Sequence, residues 1–291
     1  MKSTKNRRQL SSSLMSKAVI FALMFCVVAF QSSQSSENSL SAKKALVTKG
    51  MDALFKDFDE QAMRSLFTPS YIQHNPNVPS GLDPVLGLLP VLKDAGFDYE
   101  THRMIEDGDL VLTHTTYTNA QVFGAPTVIA FDIWRVEEGK IAEHWDAIIP
   151  LYTETASGRS QTDGATQITD LDETESNKLL VKGFVSEVLI SEDFTKMETY
   201  IRDGVYAQHN PVVEDGPAAL QTVIEQSGLK NHTIHRVIGE GNFVLTQSEG
   251  NWNDKPMAIY DLFRVEDGYI VEHWDVLQEI PAQMAHDNGM F

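Results

Sequence analysis

Glu143-His144-Trp145-Asp146 occurs in the first part of this chain and returns, 129 residues later, as Glu272-His273-Trp274-Asp275. Each copy follows a strand-like run and a glycine turn, at residues 134–139 and 263–268. Because the surroundings repeat together with the motif, we expect a whole structural unit to be duplicated.

Three further motifs repeat in the same order. Tyr71-Ile72-Gln73-His74-Asn75-Pro76 returns as Tyr206-Ala207-Gln208-His209-Asn210-Pro211, His102-Arg103 as His235-Arg236, and Gly108 to Thr113 as Gly241 to Thr246. The offset falls from 135 to 133 to 129 along the chain, so the length differences lie between motifs, where loops are expected. The sequence predicts one domain at 41–152 and a second at 176–283. A Ser/Thr/Gly/Asp-rich linker is predicted at 153–175.

Composition places the chain among soluble globular proteins, with 291 residues, 42% hydrophobic and 22% charged. The formal net charge of −18 disfavours nucleic acid and anionic lipid as partners. Cys26 is the only cysteine, so no disulfide is expected to stabilise the fold.

The first 36 residues have the layout of a signal peptide followed by a short polar spacer. Basic residues precede an apolar run at 18–30, which is shorter than the roughly 20 residues that span a bilayer. We expect a secreted or periplasmic protein without a membrane partner after cleavage, with an uncleaved anchor as the alternative.

Each copy begins with helical periodicity and ends with strand patterns. Val47, Met51, Leu54 and Phe55 form one apolar helical stripe. Strands are predicted at 99–105, 110–118, 127–136 and 141–149, where β-branched and aromatic residues are frequent. Helices followed by strands predict an α+β fold.

The combination of Gln-His-Asn-Pro with Phe/Trp-Arg-Val-Glu-x-Gly-x-Ile-x-Glu-His-Trp-Asp resembles the SnoaL-like family of the nuclear transport factor two-like superfamily. This resemblance covers both copies. It implies two tandem cone-shaped α+β barrels, each with three N-terminal helices packed on a curved antiparallel sheet around a pocket. It also implies sheet-to-sheet pairing, so the two copies are expected to form an internal pseudo-dimer.

Strand alternation places His144 and Asp146 on one face and Glu143 and Trp145 on the other. Asp132 lies on the preceding strand, and Asp261 holds the same place before His273 and Asp275. Two carboxylates per copy are therefore expected to share a cavity. Burial beside a second acid raises the pKa of a carboxyl group, which suits it to proton transfer near neutral pH.

The resemblance assigns candidate roles to these residues. In SnoaL-like polyketide cyclases the matching Asp is the acid/base of an intramolecular aldol condensation, which makes Asp146 and Asp275 candidate bases. His144 and His273 become orienting or donor groups, and Asp132 and Asp261 polar pocket residues. This chemistry belongs to a lyase or isomerase that needs no cofactor and no metal. The alternative is that the same groups only hydrogen-bond to fix the sheet.

Six further residues are candidate ligand contacts. His74, Asn75, His209 and Asn210 belong to the Asn-Pro corners, where they line the pocket mouth or cap the corner. His114 and Tyr117 become Gln247 and Gly250 in the second copy, so the two pockets are expected to differ in polarity and volume. His74, His144 and Asp146 form a two-His, one-carboxylate set without a tight spacing, and we predict no metal site there.

These patterns predict an exported protein with a pocket for a small, largely apolar carbonyl compound, in which proton transfer α to the carbonyl takes place. A non-enzymatic ligand-binding or assembly module on the same fold is the alternative.

Overall fold

The computed structural model describes Met1, residues 40–202 and residues 204–291. The chain divides into two compact units, Met1–Ser41 and Ala42–Phe291. Apart from Met1, the predicted signal peptide and spacer at 1–36 lie outside the described residues. Within the part of the chain that is described, no helix has the length and apolar character needed to cross a bilayer.

The first half of the larger unit (residues 42–150) contains four helices and five strands. They are α1 (Ala42–Phe55), α2 (Glu60–Leu66), β1 (Phe67–Gln73), α3 (Leu82–Leu86), α4 (Leu89–Ala95), β2 (Asp98–Asp107), β3 (Leu110–Thr118), β4 (Thr127–Glu137) and β5 (Lys140–Pro150), with a 3-10 turn at Gln121–Phe123.

The second half (residues 171–279) follows the same order. It contains α5 (Thr174–Phe184), α6 (Met197–Tyr200), β6 (Ala207–Gln208), α7 (Pro217–Ser227), β7 (Leu229–Glu240), β8 (Phe243–Trp252), β9 (Lys255–Glu266) and β10 (Tyr269–Glu279). Helix α5 continues as a π-helical turn at Val185–Ile190, and 3-10 turns lie at Leu171–Glu173 and Phe194–Lys196.

Each half folds one five-stranded sheet, and the two sheets have the same strand order. The orders are β1-β5-β4-β3-β2 and β6-β10-β9-β8-β7. The α+β prediction is confirmed, as are the four long strands of the first half to within two residues. Four strands of each sheet are antiparallel to their neighbours, and the edge strands β1 and β6 pair in parallel with β5 and β10. The first half also has four helices instead of three.

Local chemistry accounts for these elements. Asp59 caps α2 by accepting a hydrogen bond from the amide of Ala62 at 3.0 Å. Val47 and Met51 are fully buried on α1, as the helical stripe predicts. Both residues of the β4–β5 turn, Glu138 and Gly139, have positive φ, which the tight turn of a two-residue hairpin favours.

The two halves share a hydrophobic core between their sheets. It contains residues of both halves and of the C-terminal tail: Ile105, Leu112, Ile129, Phe131, Ile133, Trp145, Ala147, Ile238, Phe243, Leu245, Ala258, Tyr260, Leu262, Trp274, Val276 and Met290. Trp145 and Trp274 lie here because strand alternation directs them away from His144 and His273.

Reciprocal polar contacts join the halves at the same place. The Arg103 guanidinium lies 4.0 Å from the ring centroid of Trp274, and that of Arg236 lies 4.0 Å from the ring centroid of Trp145. Both arginines come from the repeated His-Arg motif. Each half therefore stacks its arginine on the tryptophan of the other.

Two segments cross between the halves. We call residues 151–165 the first arm and residues 280–291 the second arm. The amide of Ala156 in the first arm donates to Pro211 O at 2.8 Å, and the amide of Ala285 in the second arm donates to Pro76 O at 2.8 Å. The two alanines are 129 residues apart, so the repeat extends into the stretch predicted as a linker at 153–175.

Candidate functional site

Two carboxylates face each other across neighbouring strands in each half. Asp132 of β4 pairs in register with Asp146 of β5, and Asp261 of β9 pairs with Asp275 of β10. His144 and His273 lie two residues before the second carboxylate, and alternation turns their side chains to the same face. The predicted grouping of Asp, His and Asp is therefore present in both halves.

In the first half, hydrogen bonds occupy most of the carboxylate oxygens. The Tyr117 hydroxyl donates to Asp132 Oδ2 at 3.0 Å, and His144 Nε2 lies 3.2 Å from Asp132 Oδ1. Asn75 Nδ2 donates to Asp146 Oδ2 at 2.8 Å. Asp146 Oδ1 is buried and has no hydrogen-bond partner among the described residues. That oxygen is a buried acceptor without a donor.

A glutamine fixes the protonation of the histidine. Gln73 Oε1 accepts from the amides of His74 and Asn75, both at 2.9 Å, so this atom is an acceptor. It lies 3.0 Å from His144 Nδ1, which must therefore carry a proton. The contact between His144 Nε2 and Asp132 then needs one further proton, held by the imidazole or by the carboxyl group.

The second half repeats this arrangement. Gln208 Oε1 accepts from the Asn210 amide and lies 2.9 Å from His273 Nδ1. His273 Nε2 lies 3.2 Å from Asp261 Oδ1. Asn210 Nδ2 donates to both oxygens of Asp275, at 3.0 and 2.7 Å. Two oxygens differ from the first half. Both oxygens of Asp275 have a donor, whereas Asp146 Oδ1 has none, and Asp261 Oδ2 is buried without a partner among the described residues, whereas Asp132 Oδ2 accepts from Tyr117.

The second carboxylate of each half has a shifted pKa. Burial raises the pKa of Asp146 to about 6; the charge of Asp132 also raises it, whereas His144 and the bond from Asn75 lower it. Burial likewise raises the pKa of Asp275 to about 6; the charge of Asp261 also raises it, whereas His273 and the bonds from Asn210 lower it. Each group can exchange protons near neutral pH.

The two cavities beside these residues differ in volume. The first cavity, lined by Asp132, His144 and Asp146, encloses about 40 Å³. The second cavity, lined by Asp261, His273 and Asp275, encloses about 160 Å³. Its remaining walls are mostly aliphatic and aromatic: Ile149, Leu189, Val212, Val213, Leu220, Val223, Ile224, Leu229, Trp252, Ile259, Phe263 and Leu277. Of these, Ile149 belongs to the first half.

Aromatic side chains account for the smaller first cavity. The Phe55, Phe97, Tyr99 and Tyr117 rings pack on one another with centroid separations from 5.1 to 6.4 Å. Tyr99 and Tyr117 pair across β2 and β3, and the corresponding pair across β7 and β8 is Asn231 and Gly250. The prediction that the pockets differ in volume named positions 114 and 117; of these only 117 belongs to this pair of aromatic positions, and position 99 is the other.

The corner histidines lie away from the cavities, whereas the asparagines beside them reach in. The His74 ring stacks on Trp145 at 4.7 Å, with Nε2 2.8 Å from Glu143 Oε1. His209 repeats this contact on Trp274 at 4.7 Å. The prediction that His74 and His209 line the pocket was therefore wrong, because their rings stack on Trp145 and Trp274 on the opposite face of each sheet.

His114 also lies on the face opposite the first cavity. Its ring contacts Phe131 at 4.5 Å between centroids, and Nδ1 lies 3.1 Å from an Arg103 nitrogen. Residues 114 and 117 differ by three, so a regular strand directs them to opposite faces. Of the two predicted residues, only Tyr117 lines the first cavity, and Gln247 likewise faces Tyr260 between the sheets.

A cation would find three ligand atoms in each half. Those of Asp132, His144 and Asp146 all lie within 4.8 Å of one another, as do those of Asp261, His273 and Asp275. A histidine whose other nitrogen donates to a carbonyl oxygen is common around metals. The set of His74, His144 and Asp146, at which no metal site was predicted, does not come together, because the His74 ring stacks on Trp145.

Three residues of the two sites were not predicted from the sequence. Gln73 and Gln208 orient the histidines. Asn231 lines the second cavity, and its Nδ2 has no hydrogen-bond partner among the described residues. Both glutamines stand in the repeated Gln-His-Asn-Pro motif, so the motif itself was an available signal.

Residues 47–144 match the family model described as the SnoaL-like domain. The chain is similar in structure to TsrD from Streptomyces laurentii, with 19% identity over 38% of this chain and 91% of that chain and a TM-score of 0.33. It is similar to IdmH, a candidate polyketide cyclase from Streptomyces antibioticus, with 21% identity over 36% and 91% of the two chains and a TM-score of 0.31. An NTF2-like protein of unknown function from Cytophaga hutchinsonii has 22% identity over 40% and 95%, with a TM-score of 0.31. No curated protein matches the chain.

Proposed function

We propose that this chain, whose residues 47–144 are a SnoaL-like domain, binds a small, largely apolar carbonyl compound in its second cavity and transfers a proton α to the carbonyl. The observation that carries the proposal is Asp275, whose pKa is raised to about 6 by burial at an apolar cavity.

In the proposed reaction, a carboxylate oxygen of Asp275 takes the proton from the α carbon. The electrons of the C–H bond move to the carbonyl oxygen and give an enolate. Asn210 holds the carboxylate in place through its two hydrogen bonds. Where the enolate is conjugated with a C=C bond, return of the proton from Asp275 to the γ carbon gives isomerisation. Attack of the enolate on a second carbonyl gives an alkoxide, which takes the proton back from Asp275 and becomes the aldol product.

The reaction also needs a hydrogen-bond donor to the carbonyl oxygen, and the proton shared by His273 and Asp261 supplies it in this proposal. A donor near a developing oxyanion stabilises it, and pairing of a base with such a donor is the arrangement that general acid–base catalysis requires. Because Gln208 fixes the Nδ1 proton, His273 presents only Nε2 toward Asp261 and the cavity.

The first half supports the alternative of a non-enzymatic, structural role for that half. Its cavity has a volume of only about 40 Å³ and is lined by Tyr71 and Tyr117, and Tyr117 already donates to Asp132. We therefore assign ligand binding to the second half and support of the shared core to the first. The pairing as an internal pseudo-dimer is part of this proposal and is supported by that core.

Export to a secreted or periplasmic location is also proposed, on the composition of residues 1–36 alone. Fractionation of cells that express the full chain tests this part, and recovery of unprocessed protein in the cytoplasm would reject it.

The reaction is tested by following exchange of α protons for deuterium in small cyclic ketones by NMR. Asp275→Asn should slow enzyme-dependent exchange by about 10²- to 10⁴-fold, the usual contribution of a general base. Asp146→Asn is the matched change in the first half and should slow it far less. Equal exchange in wild type and Asp275→Asn would reject the proposal.

A further inference from the structure

Tyr117 fills the first cavity in the manner of a bound ligand. Its ring packs against Phe55 and Phe97, with centroids 5.1 and 5.4 Å away, and its hydroxyl donates to Asp132 Oδ2 at 3.0 Å. The side chain thus places a phenol against the carboxylate that pairs with His144.

The second half has no such side chain. Gly250 occupies the register position of Tyr117, four residues after Thr246, just as Tyr117 follows Thr113. A Cβ at Gly250 would collide with the carbonyl oxygen of Lys230. The chain therefore cannot refill this place with a side chain unless the backbone of β7 moves.

Removal of the phenol leaves a carboxylate oxygen unpaired. Asp261 is 5% exposed and lines the second cavity, and its Oδ2 has no hydrogen-bond partner among the described residues. Its Oδ1 faces His273, so Oδ2 is an acceptor whether the shared proton lies on the imidazole or on Oδ1. A buried carboxylate oxygen without a donor is costly, which favours a ligand that brings one.

We propose that the second cavity binds ligands with a hydroxyl-bearing ring, and that the hydroxyl donates to Asp261 Oδ2 as Tyr117 does to Asp132. This inference rests on the proposed assignment of ligand binding to the second half and names the class of compound. The ring takes the space that Tyr117 fills in the first half, and aliphatic walls such as Ile224 and Leu277 contact it.

The preference for a hydroxyl is measured with two probes of the same shape, 4-ethylphenol and 4-ethyltoluene. Isothermal titration of the wild-type chain should show the phenol binding about tenfold more tightly or better, since hydrogen bonds to charged groups exceed the free energy of one tenfold step. Asp261→Leu should reduce the ratio to about one, and continued binding of 4-ethyltoluene would show that its cavity is intact.

Two further variants complete the experiment. Asp261→Asn keeps an oxygen but removes the charge, and should give an intermediate ratio if Asp261→Leu does not fold. Asp267→Asn, in the exposed β9–β10 turn, removes the same charge outside both cavities and should leave the ratio unchanged.

Three outcomes would overturn the inference. The wild-type chain could bind both probes equally, it could bind neither, or the preference for 4-ethylphenol could persist in both Asp261 variants. None of these outcomes decides the proposed proton transfer, which depends on Asp275 and is read separately by deuterium exchange. Loss of exchange in Asp275→Asn together with equal probe affinities would reject the hydroxyl contact alone.

Discussion

Tyr117 is the residue on which the difference between the halves depends most. We expect Tyr117→Ala to lower the free energy of unfolding by about 3–5 kcal/mol, the usual cost of removing a large buried aromatic ring. 4-Methylphenol should restore part of the loss by occupying the vacated space and donating to Asp132, whereas 1,4-dimethylbenzene should restore less. Chemical denaturation with and without each compound measures this, and equal rescue by both would contradict it.

Tyr117→Phe separates the hydroxyl from the ring. This variant keeps the packing against Phe55 and Phe97 but leaves Asp132 Oδ2 with a weak contact to Thr113 at 3.4 Å. An unsatisfied buried acceptor costs about 1–3 kcal/mol, so the loss should be smaller than for alanine. The same denaturation experiment gives the comparison.

Asp146 makes stability depend on pH in a predictable direction. Its pKa is raised by burial from 3.8 to about 6 in the folded chain, so the native state binds the proton more tightly than the unfolded state. Stability is then greatest below the unfolded pKa and is lost as pH rises through the folded pKa, by about 3 kcal/mol in total. Asp146→Asn should therefore be more stable than wild type at pH 8, with the difference shrinking toward pH 4.

Denaturant midpoints of both proteins at pH 4 and pH 8 test the sign. Asp267→Asn, at the exposed turn, is the control and should change stability little at either pH. A variant that is less stable than wild type at pH 8 would show that the Asp146 carboxylate is held by interactions stronger than its burial cost.

At this scale, alternation along strands was enough to place some side chains but not others. Alternation correctly placed His144 and Trp145 on opposite faces of β5. Asp132 and Asp146, which were expected to share a cavity, are paired across β4 and β5. The same alternation places His114 on the face opposite Tyr117, so the prediction that both side chains line the first cavity was inconsistent with it. His74 is different, because it follows the end of β1, where the backbone leaves the strand and parity no longer fixes direction.

At the scale of elements, the second arm is a part of the fold. Met290 is 1% exposed in the shared core, and the backbone oxygen of Gly289 contacts His74 Nδ1 at 2.9 Å. Met290→Ala should cost about 2–5 kcal/mol, as for other buried methionines. Asp287→Ala, exposed on the same arm, should change stability by no more than about 0.5 kcal/mol. Thermal unfolding of both variants measures the contrast, and equal effects would show that the arm is only loosely attached.

Long strands were predictable, whereas short elements and the arms were not. Leu110–Thr118 is rich in β-branched residues and matches its predicted bounds. Strand β1 was missed because Phe67 continues the apolar spacing of α2, and only parallel pairing with β5 makes it a strand. The first arm lacks periodicity because its role depends on backbone and polar contacts with the other half, such as Ser157 Oγ to Gln208 O at 2.7 Å.

At the scale of the whole molecule, we expect the two halves to unfold together. The shared core and the Arg103 contact with Trp274 join them, and Arg103 also donates to the backbone oxygens of Thr162, Asp163 and Ala165. Fluorescence and circular dichroism should give one coincident transition. Arg103→Ala should lower the free energy of unfolding by about 2 kcal/mol or more and shift the midpoint accordingly. The variant should still unfold in one transition. Two separate transitions in the wild-type chain would show that the halves are independent.

In the second half, the cavity lies against one face of the sheet and the shared core against the other. This separation has a consequence for protein engineering. Positions 246 and 248 of β8 lie on the face of Asp261, whereas 245 and 247 belong to the face between the sheets. Gly250 shares the first face but is left out, because a Cβ there would collide with the carbonyl oxygen of Lys230. Libraries at positions 246 and 248 can therefore be screened for new ligand specificities while the side chains of the shared core stay unchanged.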